Sequence, residues 1–168
     1  MQRLIRKQDI PYIVITILFG SLNFFLYRLS GQHPVAALFT PVRNSVWEYL
    51  KLLFFPVLLL SILEYLFRAP KPGIFFGGRF AGVWTGMLLV TVLHYGYSGI
   101  LGMQCAAASV FLFLFGIVII FFLSRKLGRY FRRIRPLNIF FCWTISVLLF
   151  FFFTCFPPEL PIFLPLDF

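Results

Sequence analysis

Long apolar runs, separated by short polar segments, are the dominant pattern along the chain. A helix needs roughly 20 apolar residues to cross a bilayer core about 30 Å thick. Five runs meet that demand, at about residues 10–27, 45–67, 80–97, 105–123 and 137–156. A backbone in lipid must satisfy its own hydrogen bonds, so these runs predict helices. We therefore predict an all-α, polytopic membrane protein with a single bundle of five transmembrane helices.

The composition supports lipid as the solvent for most of the chain. Hydrophobic residues make up 61% of the 168 residues and charged residues only 12%, whereas a soluble domain carries about 25% charged residues. This length suits one helical unit and leaves no room for a separate soluble catalytic domain. Basic residues before the first run resemble the start of a signal peptide, but the run is long and we expect it to be retained.

The basic residues are distributed unevenly between the two sides that five spans would create. The amino terminus and the second and fourth loops hold twelve of the fifteen Lys and Arg residues, and the other side holds Arg28, Arg43 and Lys51. Lys and Arg accumulate in cytoplasmic loops. We therefore predict a multi-pass protein of the plasma membrane, with a cytoplasmic amino terminus and a carboxyl terminus outside the cell.

The fourth loop, RKLGRYFRRIRP, has a helical period of its own. Apolar residues recur on one side and basic residues occupy the other, a pattern typical of an amphipathic helix on a membrane surface. We predict that Arg125–Arg135 binds anionic lipids of the inner leaflet. Nucleic acid is not an expected partner, because membrane lipids are already adjacent.

Gly78, Gly82 and Gly86 follow one another at four-residue spacing in the third run. This spacing places them on one helix face, where a neighbouring backbone can approach closely. Two alternatives follow: internal packing against another helix of the chain, or a homo- or hetero-oligomer through the glycine face.

The second run begins with unusually many polar residues, in the segment PVRNSVWEYLK. Ser45 and Glu48 form a capping box, and Lys51 can pair with Glu48 at three-residue spacing. Trp47 suits the membrane interface. Capping and anchoring are therefore one explanation. The other is function, since an ionisable residue in a span usually faces a cavity or a partner.

Topology favours the functional explanation. The third run ends in HYGYSGILG on the same predicted outer side, and the proline-rich tail, with Glu159 and Asp167, should form an extended lid or plug there. We predict a ligand-binding pocket at the outer face, built from Arg43, Asn44, Trp47, Glu48, Lys51, His94, Tyr95 and Tyr97. No metal site, cofactor or catalytic residue is assigned.

The segments PVRNSVWEYLK and HYGYSGILG, with the proline-rich ending, also resemble a family of small bacterial integral membrane proteins of unknown function. The first segment is similar to the signature P-V-N-E-S-V-W-E-H-L-K and matches it at Ser45–Glu48, Leu50 and Lys51. The second is similar to Y-T-Y-T-G-I-x-G. The resemblance implies a multi-span membrane protein and supplies no activity.

Three hypotheses about function remain at this point. The first is a non-enzymatic protein that binds a small polar or amphiphilic ligand at its outer face, as a transporter or its accessory subunit. The second is a membrane enzyme for a lipid or lipid-linked substrate, with Glu48 and His94 as proton-transfer groups. The third is a structural or assembly partner of another membrane protein. The sequence has no G-x-S-x-G, H-E-x-x-H or phosphate-binding glycine loop, which favours the first hypothesis.

Overall fold

The structure, a computed structural model, describes residues 9–68, 70–102 and 105–164. Every regular element in these ranges is helical. The six α-helices are α1 (Ile10–Leu29), α2 (Pro34–Phe39), α3 (Val46–Arg68), α4 (Pro72–Leu101), α5 (Ala106–Gly128) and α6 (Pro136–Cys155). Two short 3-10 helices, Arg129–Arg133 and Pro161–Phe163, follow α5 and α6.

Within the described ranges, five helices are long and apolar enough to cross a membrane. They are α1 and α3 to α6, so the prediction of an all-α protein with five spanning helices is confirmed. Large apolar side chains remain exposed on their outer surfaces, such as Leu22, Leu88 and Leu148, as expected when lipid is the solvent. The cytoplasmic amino terminus and external carboxyl terminus stay predictions from charge.

The helices alternate in direction, which gives the bundle two ends. At the predicted outer end, α1, α4 and α6 finish and α3 and α5 begin. At the predicted inner end, α1, α4 and α6 begin and α3 and α5 finish.

Proline marks the start of four helices. Pro11, Pro34, Pro72 and Pro136 each lie in a first helical turn, where the missing N–H group would have no helical partner. Helix α4 ends at Gly102, whose φ of 64° is the left-handed conformation that glycine adopts without steric cost.

Helix α4 extends beyond the predicted span 80–97 at both ends. Its additional first turns contain Gly73, Gly77 and Gly78. These glycines allow close packing: a Cβ atom added at Gly77 would lie 2.5 Å from the nearest atom of the Phe131 side chain. The close approach of residues 129–133 therefore explains why a glycine-rich segment is helical here.

The basic segment is helical, as its periodicity indicates, but it is not one separate amphipathic helix. Helix α5 continues to Gly128, and a 3-10 helix carries Arg129–Arg133. Phe131, on the apolar side of the segment, packs on α4, while Arg132 and Arg133 are exposed. Binding of anionic lipid by this segment stays a prediction.

Glycine residues allow the backbones of α4 and α5 to pack closely against each other. An added Cβ atom at Gly78 would lie 2.8 Å from the Gly128 Cα atom, and one at Gly82 would lie 2.7 Å from the Ile120 carbonyl oxygen. Such separations are too short for a real side chain. The face formed by Gly78, Gly82 and Gly86 thus packs against another helix of the same chain, which is the first of the two alternatives predicted from the sequence.

Helix α3 supplies much of the core, including Leu53, Phe54 and Val57. It packs against α1 and α4, and aromatic side chains of α6 contact it as well. Polar residues at either end of α3 therefore lie inside the bundle rather than at its rim.

Candidate functional site

The connection between α1 and α3 turns back into the bundle at the predicted outer end. Helix α2 contacts α1 and α6. The Asn23 side chain of α1 donates a hydrogen bond to the Phe39 carbonyl oxygen at 3.0 Å. Thr40 is fully buried, and its hydroxyl group donates to the Ala36 carbonyl oxygen. The connection is therefore held by specific polar contacts.

Glu48 and Lys51 are the centre of this arrangement. Lys51 Nζ donates to Glu48 Oε2 at 2.8 Å, which confirms the ion pair expected from their spacing. Lys51 Nζ also donates to the Ala37 carbonyl oxygen at 3.1 Å, and the Val42 N–H donates to Glu48 Oε2 at 3.0 Å. The exposed fractions of Lys51 and Glu48 are 0% and 5%. This pair fastens the connection to α3.

The capping box is present in part. The Glu48 N–H donates to Ser45 Oγ at 3.4 Å. The glutamate carboxylate, however, contacts Lys51 and the Val42 backbone as described above. The first helical turns of α3 are thus polar because they satisfy a buried connection as well as their own helix start.

Trp47 faces a different part of the molecule. Its ring lies 4.7 Å from the Phe150 ring of α6 and 5.0 Å from the Phe163 ring of the tail, centroid to centroid. The Pro161–Phe163 helix therefore folds back over the start of α3, and Phe163 is 8% exposed. Trp47 Nε1 is buried and has no hydrogen-bond partner among the described residues. Asp167, also predicted near this end, lies outside the described residues.

A cavity of about 560 Å³ lies between α1, α3, α4 and α5 at the predicted outer end, and we call it the outer cavity. Its walls are almost entirely apolar, with polar atoms contributed by a few side chains. The lining residues include Phe24, Tyr49, Leu50, His94, Ser109 and Phe113. The Tyr49 ring is parallel to the Phe24 ring, with centroids 6.3 Å apart.

Among the polar lining residues of the outer cavity, His94 is the one with a buried polar atom that has no hydrogen-bond partner among the described residues. Its side chain is 5% exposed, and Nε2 is buried without a hydrogen-bond partner in the described part of the chain. Tyr97 lies one turn further along α4, and the centroids of the Tyr97 and His94 rings are 5.2 Å apart. The Tyr97 hydroxyl group is also buried and has no hydrogen-bond partner among the described residues. Two residues with neighbouring rings thus each have a buried polar atom without a partner among residues 9–68, 70–102 and 105–164.

The eight predicted site residues share one end of the bundle but divide into separate groups. His94 alone lines the outer cavity, with Tyr97 beside it. Tyr95 is 39% exposed. Arg43 and Asn44 are exposed in the connection, where Asn44 accepts a hydrogen bond from the Tyr49 hydroxyl group. Their joint role in binding a ligand stays a prediction.

Sequence reasoning missed most of the cavity wall. Phe24 and Phe113 are apolar residues in apolar runs, and nothing in the sequence distinguishes a cavity-facing Phe from a lipid-facing one. Ser21 and Ser109, small polar residues in such runs, are the one available signal.

A second polar cluster lies at the predicted inner end. Glu64 Oε1 accepts a hydrogen bond from Arg68, four residues further along α3, at 2.9 Å, and Glu64 Oε2 accepts one from Arg79 at 2.5 Å. Arg125 pairs with Asp9. Arg79 is only 6% exposed, although it lies in the predicted second loop, directly before the predicted span 80–97.

Comparisons with known proteins add a family but no activity. The model of a family of unknown function matches residues 2–166 of the chain. No curated protein and no solved structure matches the chain. Within the described ranges, no three His, Cys, Asp or Glu side chains converge to hold a metal ion.

Proposed function

The chain belongs to DUF6512, a family of unknown function, so its role has to be inferred from its own candidate site. We propose that the protein binds a small amphiphilic molecule in the outer cavity. The apolar part of the ligand lies among α1, α3, α4 and α5, and its polar group bonds to His94. The protein does so in the plasma membrane, with the cavity on the outer side, as a transporter or an accessory subunit of one.

The dimensions and chemistry of the outer cavity support this proposal. Ligand pockets typically measure about 300–1,000 Å³ and combine apolar walls with a few polar groups. The outer cavity has a volume of about 560 Å³, with aromatic walls such as Phe24 and Phe113. A fully polar ligand would leave its own groups unsatisfied against these walls, so an amphiphile is the better fit.

The observation that carries the proposal is the unpartnered Nε2 atom of His94. Most buried polar atoms in folded proteins have a hydrogen-bond partner, and an exception calls for an explanation. His94 is a lining residue of a cavity that can admit a ligand, and its Nε2 atom has no partner among the described residues. A hydroxyl or carboxylate group on the ligand would supply the missing partner.

The contacts of Glu48 favour binding over catalysis by a Glu48–His94 pair. Its carboxylate is engaged by Lys51 and by the Val42 N–H. Glu48 is not a lining residue of the outer cavity, whereas His94 is. A proton-transfer pair would need both groups at the same ligand.

The proposal is tested by native mass spectrometry of the protein released from its own membranes in mild detergent. Ser109→Phe places a phenyl group at the cavity wall and should abolish the ligand adduct. Val118→Phe adds similar bulk to α5 at a residue outside the cavity lining and should preserve it. An adduct of equal abundance in both variants, or none in the parent protein, would contradict the proposal.

A further inference from the structure

The predicted inner end contains a second cavity, of about 870 Å³, which we call the inner cavity. It lies among the end of α3, the start of α4 and the end of α5. Unlike the outer cavity, it has several charged side chains among its lining residues. Its charged lining residues are Asp9, Glu64, Lys71, Arg79, Arg125, Lys126 and Arg129.

The lining of the inner cavity has an excess of positive charge. Five of these residues are cationic and two are acidic. Glu64 pairs with Arg79 and with Arg68, and Asp9 pairs with Arg125. Lys71, Lys126 and Arg129 form no ion pair with any carboxylate in the described part of the chain. Three cations therefore border one cavity without a described counter-charge.

Two of the arginines are held in fixed positions. Arg79 is bonded to Glu64 at 2.5 Å, and its guanidinium carbon lies 3.9 Å from the centre of the Phe121 ring. Arg125 is paired with Asp9, which is 4% exposed. Fixed guanidinium groups are well suited to bind oxyanions, because little side-chain freedom is lost when the anion arrives. Two of the five cations of the inner cavity are thus held in place by ion pairs.

Apolar residues border the same cavity. Ile74 and Phe75 of α4 and Phe122 of α5 contribute to its lining. An anion that also carries acyl chains could place its charged group among the cations and its chains along these residues. This neighbourhood favours a lipid over a soluble anion.

We infer that the inner cavity binds a phosphate group, with Lys71, Lys126 and Arg129 neutralising its charge above the Arg79 and Arg125 guanidinium groups. Arg and Lys form short, charge-assisted hydrogen bonds with phosphate oxygens. The phosphate can belong to the headgroup of an anionic phospholipid or be free in solution, and the apolar wall favours the phospholipid. This site is independent of the ligand proposed for the outer cavity.

The test uses the full chain in nonionic detergent and three defined probes: dioctanoyl phosphatidic acid, dioctanoylglycerol and inorganic phosphate. Dioctanoylglycerol has the same acyl chains as the first probe but no phosphate. Binding is measured by native mass spectrometry at increasing probe concentration. The double variant Lys126→Gln/Arg129→Gln removes two cavity cations, whereas Arg132→Gln/Arg133→Gln removes the same charge from exposed residues outside the lining.

Phosphatidic acid should bind and dioctanoylglycerol should not. Losing two partly exposed cation–phosphate contacts should weaken phosphatidic acid binding about tenfold in the cavity variant, with little change in the control variant. If excess inorganic phosphate does not displace phosphatidic acid, the site serves a lipid headgroup. If it does displace it, the site serves free phosphate as well.

Equal weakening in the two double variants would show diffuse attraction to a basic surface and overturn the inference. Equal binding of dioctanoylglycerol and phosphatidic acid, or no binding of either phosphate probe, would do the same. The thermal midpoints of both variants serve as a check of folding, and the substituted side chains are exposed.

Discussion

Replacing His94 by phenylalanine is expected to stabilise the ligand-free protein and, at the same time, to remove its ability to hold the outer-cavity ligand. The His94 side chain is 5% exposed and its Nε2 atom has no partner among the described residues. A phenyl ring removes that polar atom. It also keeps the edge-to-face contacts with Tyr95 and Tyr97, whose ring centroids lie 5.6 Å and 5.2 Å away.

The magnitude follows from the cost of the unsatisfied group. A buried polar group without a partner costs about 1–3 kcal/mol. Phenylalanine is slightly larger than histidine, but the ring borders a cavity of about 560 Å³, so the larger ring has room. The free energy of unfolding of the ligand-free variant should therefore rise by about 1–3 kcal/mol. At about 2–4 °C per kcal/mol for a chain of this size, the thermal midpoint should rise measurably.

Ligand retention should change in the opposite direction. Losing the hydrogen bond to Nε2 should weaken binding about 5- to 150-fold. The assay measures both quantities on one preparation: the thermal midpoint after the ligand has been removed by detergent exchange, and the adduct abundance before it. Tyr95→Phe removes a more exposed polar group of the same helix and should change neither.

The refuting result is specific. If His94→Phe lowers the thermal midpoint of the ligand-free protein and leaves the adduct unchanged, then Nε2 is satisfied in the protein and does not hold the ligand. The ligand-binding explanation of His94 would then be wrong, even if the outer cavity itself is occupied.

Three contacts described above, and the uneven distribution of Lys and Arg, lead to four further predictions. Glu48→Gln should cost about 3–5 kcal/mol, measured by thermal unfolding, because it leaves Lys51 buried without its carboxylate; a change below 1 kcal/mol would contradict the buried ion pair. Glu64→Gln should destabilise on a similar scale of about 3–5 kcal/mol, yet leave the outer-cavity adduct intact. Gly82→Leu should destabilise by about 1–3 kcal/mol or more, whereas Gly99→Ala, where an added Cβ meets nothing within 4 Å, should not. Reporters fused to the two ends of the chain should lie on opposite sides of the membrane, and finding both on one side would overturn the predicted orientation.

The five spanning helices could be predicted from sequence because run length and apolarity follow directly from the thickness of a bilayer. The Glu48–Lys51 and Glu64–Arg68 pairs could be predicted as well, since helical spacing alone brings their side chains together. Such local geometry needs no knowledge of how the helices pack.

The separation of the predicted site residues into groups with different partners could not be predicted in the same way. Trp47, Glu48 and Tyr49 are consecutive, yet they contact the tail, the connection and the outer cavity respectively. Consecutive helical residues point about 100° apart, so neighbours in sequence face different partners. Which partner each one meets depends on where the other helices lie. The burial of Arg79 could not be predicted either, because it depends on the ion pair with Glu64 of another helix.

The glycine contact between α4 and α5 has a consequence for how the protein is made. Residues 102–105 alone separate the two helices, so their mutual surface can form as soon as α5 leaves the ribosome and enters the bilayer. Helices that insert individually and then associate need close packing to hold them together, and this hairpin has it through Gly78, Gly82 and Gly86. We therefore expect α4 and α5 to associate before α6 is synthesised. A glycine substitution would then lower the yield of inserted protein, whatever its effect on any ligand.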